Sequence, residues 1–177
     1  MSDARIQAFV NFAATMVVHA AGYTHFFHVF LPKNVDECTN FGCYSPDVPR
    51  HFVFCAYHSA ANVSAGHIIY SVEPFDNVPG CATAPPASVN GQLADSTDSV
   101  LSHETFEAIS DPDINTNHDF KCAALFGQEI GDICQGPFRN SSGTFVGEIV
   151  PTRVINGHTY KSQLEYSNTY HACAAGP

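Results

Sequence analysis

Residues 96–110 read STDSVLSHETFEAIS, followed by Asp111-Pro112. The run has no glycine or proline, and Pro112 stops it because the residue before a proline is pushed out of the α region. A helix over Ser96 to Ser110 follows. Val100 and Phe106 are its expected buried side, with His103 and Glu107, four residues apart, together on a polar side. Working outward, residues 74–94 hold four prolines and two glycines and read as loop. Before them, His67 to Glu73 (HIIYSVE) reads as a strand stopped by Pro74. His25 to Leu31 (HFFHVFL) and His51 to Tyr57 (HFVFCAY) are short, aromatic and β-branched, and read as buried strands. Residues 4–21 repeat apolar positions at helical spacing through Ile6, Phe9, Val10, Ala13, Val17 and Ala20. Beyond the central helix, Phe145 to Ile155 and His158 to Tyr166 flank Asn156-Gly157, a pair that favours a type I′ hairpin turn. Three strands, a central helix and a late hairpin define an α+β class.

The balance of charge excludes several functions. Seven lysines and arginines against seventeen aspartates and glutamates leave the 177-residue chain at −10. A phosphate-backbone binder needs clustered positive charge, so nucleic acid is not an expected partner. No apolar run reaches the roughly eighteen residues of a membrane span. Residues 6–23 come nearest, but Gln7, Asn11, Thr15 and His19 interrupt them. That segment also lacks the basic start and cleavage site of a secretory leader. Seven cysteines, none in a C-x-x-C pair, argue for disulfides rather than a zinc ribbon, and so for an oxidising, extracellular setting. Three pairs and one free thiol allow on the order of a hundred arrangements. The one we expect joins Cys38 to Cys43, Cys55 to Cys81 and Cys134 to Cys173, with Cys122 free. A secreted chain without a leader is expected to be a fragment, or the mature part of a longer precursor, forming one domain over residues 1–177.

Ser102-His103-Glu104-Thr105-Phe106-Glu107 carries the chemistry. His103 and Glu107 share a helix face and can hold one ion, and Glu104 can reach a water beside it. This is H-E-x-x-H geometry with the second histidine replaced by glutamate. Such a string is also what a solvated helix face looks like. Glu129 lies 22 residues past Glu107, the spacing of a gluzincin third ligand, and Asp132 would then be the carboxylate that fixes the histidine ring. One histidine and two glutamates neutralise a divalent ion. This weakens its Lewis acidity and shifts preference from zinc toward Mn²⁺, Mg²⁺ or Ca²⁺. A second pattern, Asp111, Asp113, Asn115, Asn117 and Asp119, alternates like a calcium loop. Thr116 and Cys122 stand where an EF-hand needs Gly and Glu, leaving only a looser calcium site around Asp111, Asp113 and Asn115. Cys55 and His58, three apart on a strand, face opposite ways and do not form a nucleophile pair.

Ser-His-Glu-x-x-Glu, then Asp-Pro, then Glu129-Ile130-Gly131-Asp132-Ile133-Cys134 resembles a group of secreted bacterial proteins related to the plant Exordium, or phosphate-induced, family. His28-Val29-Phe30-Leu31-Pro32, Phe54-Cys55-Ala56-Tyr57-His58, Ser71-Val72-Glu73-Pro74 and Asn90-Gly91-Gln92-Leu93 resemble the bacterial members. The likeness runs from about residue 25 onward. It implies a zincin-like fold, with a mixed sheet and a motif-bearing helix, and a metallopeptidase-like site.

Two functional expectations follow. In the first, the chain is a secreted metal-dependent hydrolase of the peptidase kind. His103, Glu107 and Glu129 hold a divalent ion, zinc first and calcium as the alternative, and Glu104 is the general base. A peptide would pair with an exposed edge of His67 to Glu73. In the second, the chain is a non-catalytic extracellular protein that binds cell-wall or matrix material or assembles with copies of itself. Whether Glu104 faces an open or a closed coordination position separates the two.

Overall fold

The computed structural model describes residues 1–17, 21–45, 53–78, 81–82, 88–114, 129–134 and 152–174. In chain order these form α1 (Asp3–Met16), β1 (Phe26–Phe30), β2 (Glu37–Cys38), β3 (Cys43–Tyr44), β4 (Tyr57–Val63) and β5 (Gly66–Glu73). Next come α2 (Gln92–Ser110), a 3-10 turn (Asp132–Cys134), β6 (Thr152–Ile155), β7 (His158–Lys161), β8 (Glu165–Ser167) and β9 (Ala172–Ala174). The class is mixed α+β, with two α-helices and small sheets among the described residues, as the patterning implies.

The main sheet has the order β1-β5-β4, with β1 parallel and β4 antiparallel to β5. Strand alternation gives it two unlike faces. Ile68, Tyr70 and Val72 of β5 meet Ile6, Val10 and Ala14 of α1, and Leu31 joins them in the apolar core. The opposite face carries Ser71 and Glu73 of β5, His58 of β4 and His28 of β1; both histidines are in register with Ser71. That face is polar, and α2 packs there through its own polar side. Tyr57 shows the alternation directly. Its hydroxyl donates to Asp3 of α1 at 2.9 Å, which leaves the next residue, His58, turned toward α2.

Several expectations are corrected. The strand placed over His51 to Tyr57 begins at Tyr57 and runs to Val63, while residues 53–56 lead into it and residues 51–52 lie outside the described set. Cys55 is tied to Cys81, and Val53 donates its N–H to the Cys43 carbonyl at 3.1 Å, so that stretch serves the β2–β3 ribbon. Ala60-Ala61-Asn62 has little strand propensity and is held extended by pairing with β5. In α1 only Ile6, Val10 and Ala14 are buried; Phe9 and Val17 are exposed. The hairpin turns at Asn156-Gly157, both at positive φ (51° and 82°), as a type I′ turn requires. Its second arm ends at Lys161 rather than Tyr166, because residues 162–164 turn inward and β8 starts a separate hairpin with β9. The remainder of the predicted first arm lies outside the described residues.

The largest correction concerns α2. Phe106 is 42% exposed and Ile109 71%, whereas Asp95, Ser96, Ser99, His103, Glu104 and Glu107 are buried. The helix is rotated so that its charged stripe, not Phe106, meets the sheet. Burial of so many ionisable groups is costly unless they are paired or bind ions.

A candidate metal centre between a helix and a sheet face

Asp95 sets the entry of α2. Burial works against its charge, but donations from the Val89 and Asn90 N–H groups and the Ser88 and Asn90 side chains outweigh it and keep the carboxyl below its usual range. The loop is thereby pinned to the first turn. Two turns later the i, i+4 geometry brings His103 Nε2 to 3.1 Å from Glu107 Oε2.

The His103 ring has a defined orientation. Gln163 donates its Nε2–H to the Gly131 carbonyl at 2.7 Å, which fixes the amide, so Oε1 faces His103 Nδ1 at 3.1 Å. An amide oxygen only accepts, hence Nδ1 carries the proton and a neutral ring presents Nε2 as a lone pair. Asp132 Oδ1 lies 3.9 Å from that Nε2, and the Asp132 N–H donates to Glu107 Oε1 at 3.1 Å. Ligand atoms of His103, Glu107 and Asp132 all lie within 4.8 Å of one another. The Asp132 side chain is 40% exposed, so this group has an open side.

Glycine at 131 is a matter of space. A Cβ there would sit 2.6 Å from His103 Nδ1 and 2.7 Å from Glu107 Oε1. The turn carrying it is anchored by the Cys134–Cys173 disulfide to β9 and by the Tyr166 N–H donating to the Ile130 carbonyl at 3.0 Å. Disulfides also join Cys38 to Cys43 and Cys55 to Cys81, the expected partners in all three cases; Cys122 lies outside the described residues.

His58 is the residue that sequence reasoning set aside. Its Nε2 is 3.0 Å from the Asp111 carbonyl, which makes Nε2 the donor, and its Nδ1 is 3.3 Å from Glu104 Oε2 and 3.7 Å from Glu107 Oε2. His58, Glu104 and Glu107 form a second group with ligand atoms inside 4.8 Å, and all three are buried. The two groups share Glu107. Strand alternation from Tyr57 could have placed His58 here.

The electrostatics show how strongly this site asks for positive charge. Burial opposes protonation of His58, yet the Glu104 hydrogen bond and the charges of Glu104 and Glu129 outweigh it and push the ring up to about 9. His103 is likewise held well above the imidazole range, with burial overcome by Glu107, Glu104 and Glu165. Burial, together with the neighbouring Glu107 charge, pushes Glu129 up to about 8 and also raises Asp132. For Glu104, burial raises the carboxyl against the His58 hydrogen bond.

Glu129 approaches the other histidine, with Oε1 3.5 Å from His58 Nε2, and does not belong to the group around His103. In the loop after α2, the Asp111 carbonyl serves His58. Asp113 is bound by His67 Nε2 at 2.6 Å and by the Tyr23 hydroxyl, while Asn115 lies outside the described residues.

Comparison with protein-family models, curated proteins and solved structures finds no match, so the reading of this site rests on its own geometry.

Proposed function

We propose that this chain is a secreted metal-dependent hydrolase of the peptidase kind, with a zincin-like arrangement and a divalent ion held by His103, Glu107 and Asp132. Asp132 takes the role first expected of Glu129, and Glu129 becomes a neighbour of His58. The observation that carries the reading is the convergence of His103 Nε2 on Glu107 Oε2 at 3.1 Å and Asp132 Oδ1 at 3.9 Å, with Nδ1 pinned by Gln163. One imidazole and two carboxylates suit zinc and also harder ions such as Mn²⁺. A divalent cation bound there supplies Lewis-acid polarisation of a carbonyl. Glu104 accepts the proton from the attacking water, and His58, 3.3 Å away, orients that carboxylate and shares the proton. The three disulfides fit an oxidising, extracellular compartment, and among the described residues no helix is long and apolar enough to cross a membrane.

The peptide edge moves. β5 is the central strand, hydrogen-bonded on both sides, so it has no edge to offer. β4 carries His58, and among the described residues its far side pairs with no strand, which makes β4 the edge for an extended peptide. The proposal shares its site motif with the resemblance to secreted Exordium-related proteins.

A second reading has its own observation. Glu104 is only 4% exposed and faces His58, the closed arrangement expected of a non-catalytic extracellular protein that binds matrix or cell-wall material or self-assembles. Phe9, Phe12 and Met16, exposed along α1, favour self-association in the same way. Metal analysis of the purified chain with a peptide-library cleavage assay separates the two. Metal-dependent cleavage lost in Glu104→Gln supports the hydrolase; bound metal with no cleavage at any peptide overturns it.

A further inference from the structure

A second buried acidic group lies farther along the same sheet face. Glu73 ends β5, where its carbonyl accepts the Leu31 N–H at 2.9 Å, and Asp76 sits in the turn that follows. Both residues are 1% exposed. Among the described residues, neither oxygen of Asp76 has a hydrogen-bond partner, nor has Glu73 Oε2. Native interiors leave few such atoms, and each calls for a cause. Glu73 Oε1 is the exception, accepting from the Ser71 hydroxyl, whose oxygen in turn lies 2.8 Å from His28 Nδ1. That histidine nitrogen is 3.4 Å from Glu73 Oε1. The turn itself is firmly held. Tyr44 donates its hydroxyl to the Phe75 carbonyl at 2.5 Å, and Cys81 is tied to Cys55.

Protonation is one way to relieve two adjacent buried carboxylates. Burial and the Glu73 charge push Asp76 up to about 8. A proton removes the charge but leaves an unpaired hydroxyl and an unpaired carbonyl oxygen in the interior, and both still lack the partners they had in water. A cation held between the two carboxylates would supply a partner to all three orphaned oxygens. Two carboxylates match a divalent charge. The orphaned atoms are all oxygen, and His28 Nδ1 is already engaged by Ser71, so the donor set is hard. Magnesium holds on to several waters, which a group this buried accommodates poorly, whereas calcium would complete its shell of about six to eight oxygens from both carboxylates and backbone carbonyls of the turn.

We propose that Glu73 and Asp76 form a calcium site that locks the turn after β5 to the sheet. This site is separate from the residues 111–115 expected to bind calcium from the sequence pattern, and it does not depend on the hydrolase reading. The test is thermal unfolding of the chelator-treated chain, with calcium chloride added as the only ligand. Calcium at a hundred times its dissociation constant should raise the melting temperature by about 5–10 °C. Asp76→Asn and Glu73→Gln should each abolish most of that shift, and should melt no lower than wild type when calcium is absent. His103→Ala should keep the shift, which separates this site from the one on α2. Absence of any calcium effect in wild type overturns the proposal, as does a shift that survives both carboxylate variants. A calcium-independent stability that falls toward pH 8 in wild type, with that fall missing in Asp76→Asn, also overturns it and assigns the pair to shared protons instead.

Discussion

Replacing Gly131 by alanine tests the site geometry most sharply. Its φ is not in the left-handed region, so alanine carries no backbone penalty there and any effect is steric. The added Cβ would stand 2.6 Å from His103 Nδ1, 2.7 Å from Glu107 Oε1 and 2.8 Å from His103 Cε1, where ordinary contact begins at 3.4 Å. All three atoms are fixed. His103 is buried against Gln163, Glu107 Oε1 accepts from the Asp132 N–H, and neither belongs to a long flexible tip. Something must move by about 0.8 Å to restore contact distance. Overpacking of this kind costs about 1–3 kcal/mol. Breaking the Gln163–Gly131 hydrogen bond adds about 1 kcal/mol. The melting temperature should therefore fall by about 5–12 °C in a chain of this length. Because the displaced ring is the one whose Nε2 faces Asp132, affinity for a divalent ion should fall about 10–100-fold, the usual effect of disturbing a ligand's outer partners. Calorimetry and chelator competition with Zn²⁺ and Mn²⁺ measure both. Gly22→Ala is the control: nothing lies within 4 Å of its Cβ, although its φ of +91° disfavours alanine. That variant should lose a little stability and no metal affinity. A Gly131→Ala chain with wild-type melting and wild-type metal affinity would falsify the close approach and the site built on it.

Glu104→Gln should retain metal and fold while slowing cleavage by about 10²–10⁴-fold; cleavage at the wild-type rate removes Glu104 from the chemistry. Gln163→Leu, which can neither accept from His103 nor donate to Gly131, should weaken metal binding by about 10–100-fold in chelator competition. Unchanged affinity would show that the amide does not orient the ring. Replacing Cys134 and Cys173 by serine opens a loop of 39 residues and should cost roughly 4 kcal/mol on the chain-entropy model, read as a lower urea midpoint. The metal-free chain has a signed pH dependence. His58 is raised from 6.5 to about 9 and Glu129 from 4.5 to about 8, so their contributions are fully present below the unfolded values and are lost as pH climbs from 4.5 to about 8 for Glu129 and from 6.5 to about 9 for His58. Melting of chelated protein should drop across that window while metal affinity rises, because ligands must lose protons to bind; a flat profile contradicts the coupling.

The element types were legible because they follow from local rules. Pro112 had to end α2, Pro74 had to follow the end of β5, and Asn156-Gly157 had to turn with both residues at positive φ. The pairing of His103 with Glu107 followed from helix pitch alone. What could not be read locally was which side of α2 is buried. Hydrophobicity assigned Phe106 inward, whereas the sheet face it meets is built of His58, Ser71 and Glu73, and like packs with like. Strand order was hidden for a related reason. Nothing in HIIYSVE distinguishes a central strand from an edge, and β4 is made from a weak strand sequence that the pattern passed over. With β4 misplaced by several residues, His58 lost its place beside Glu104. That Asp132 rather than Glu129 lies beside His103 depends on a 3-10 turn held by Cys134, Gly131 and Gln163 together, residues distant in sequence or kind.

The bond between Cys134 and Cys173 also sets when the site can exist. It fastens the turn bearing Gly131 and Asp132 to the last strand. While the thiols are reduced, that turn keeps only hydrogen bonds, from Tyr166 to Ile130, from Gln163 to Gly131 and from Asp132 to Glu107, and Asp132 has no covalent hold near His103. Oxidation then adds a covalent hold to the position of Asp132 beside His103. Disulfides last only in oxidising compartments, so in a reducing one the turn bearing Asp132 would lose its covalent anchor beside His103.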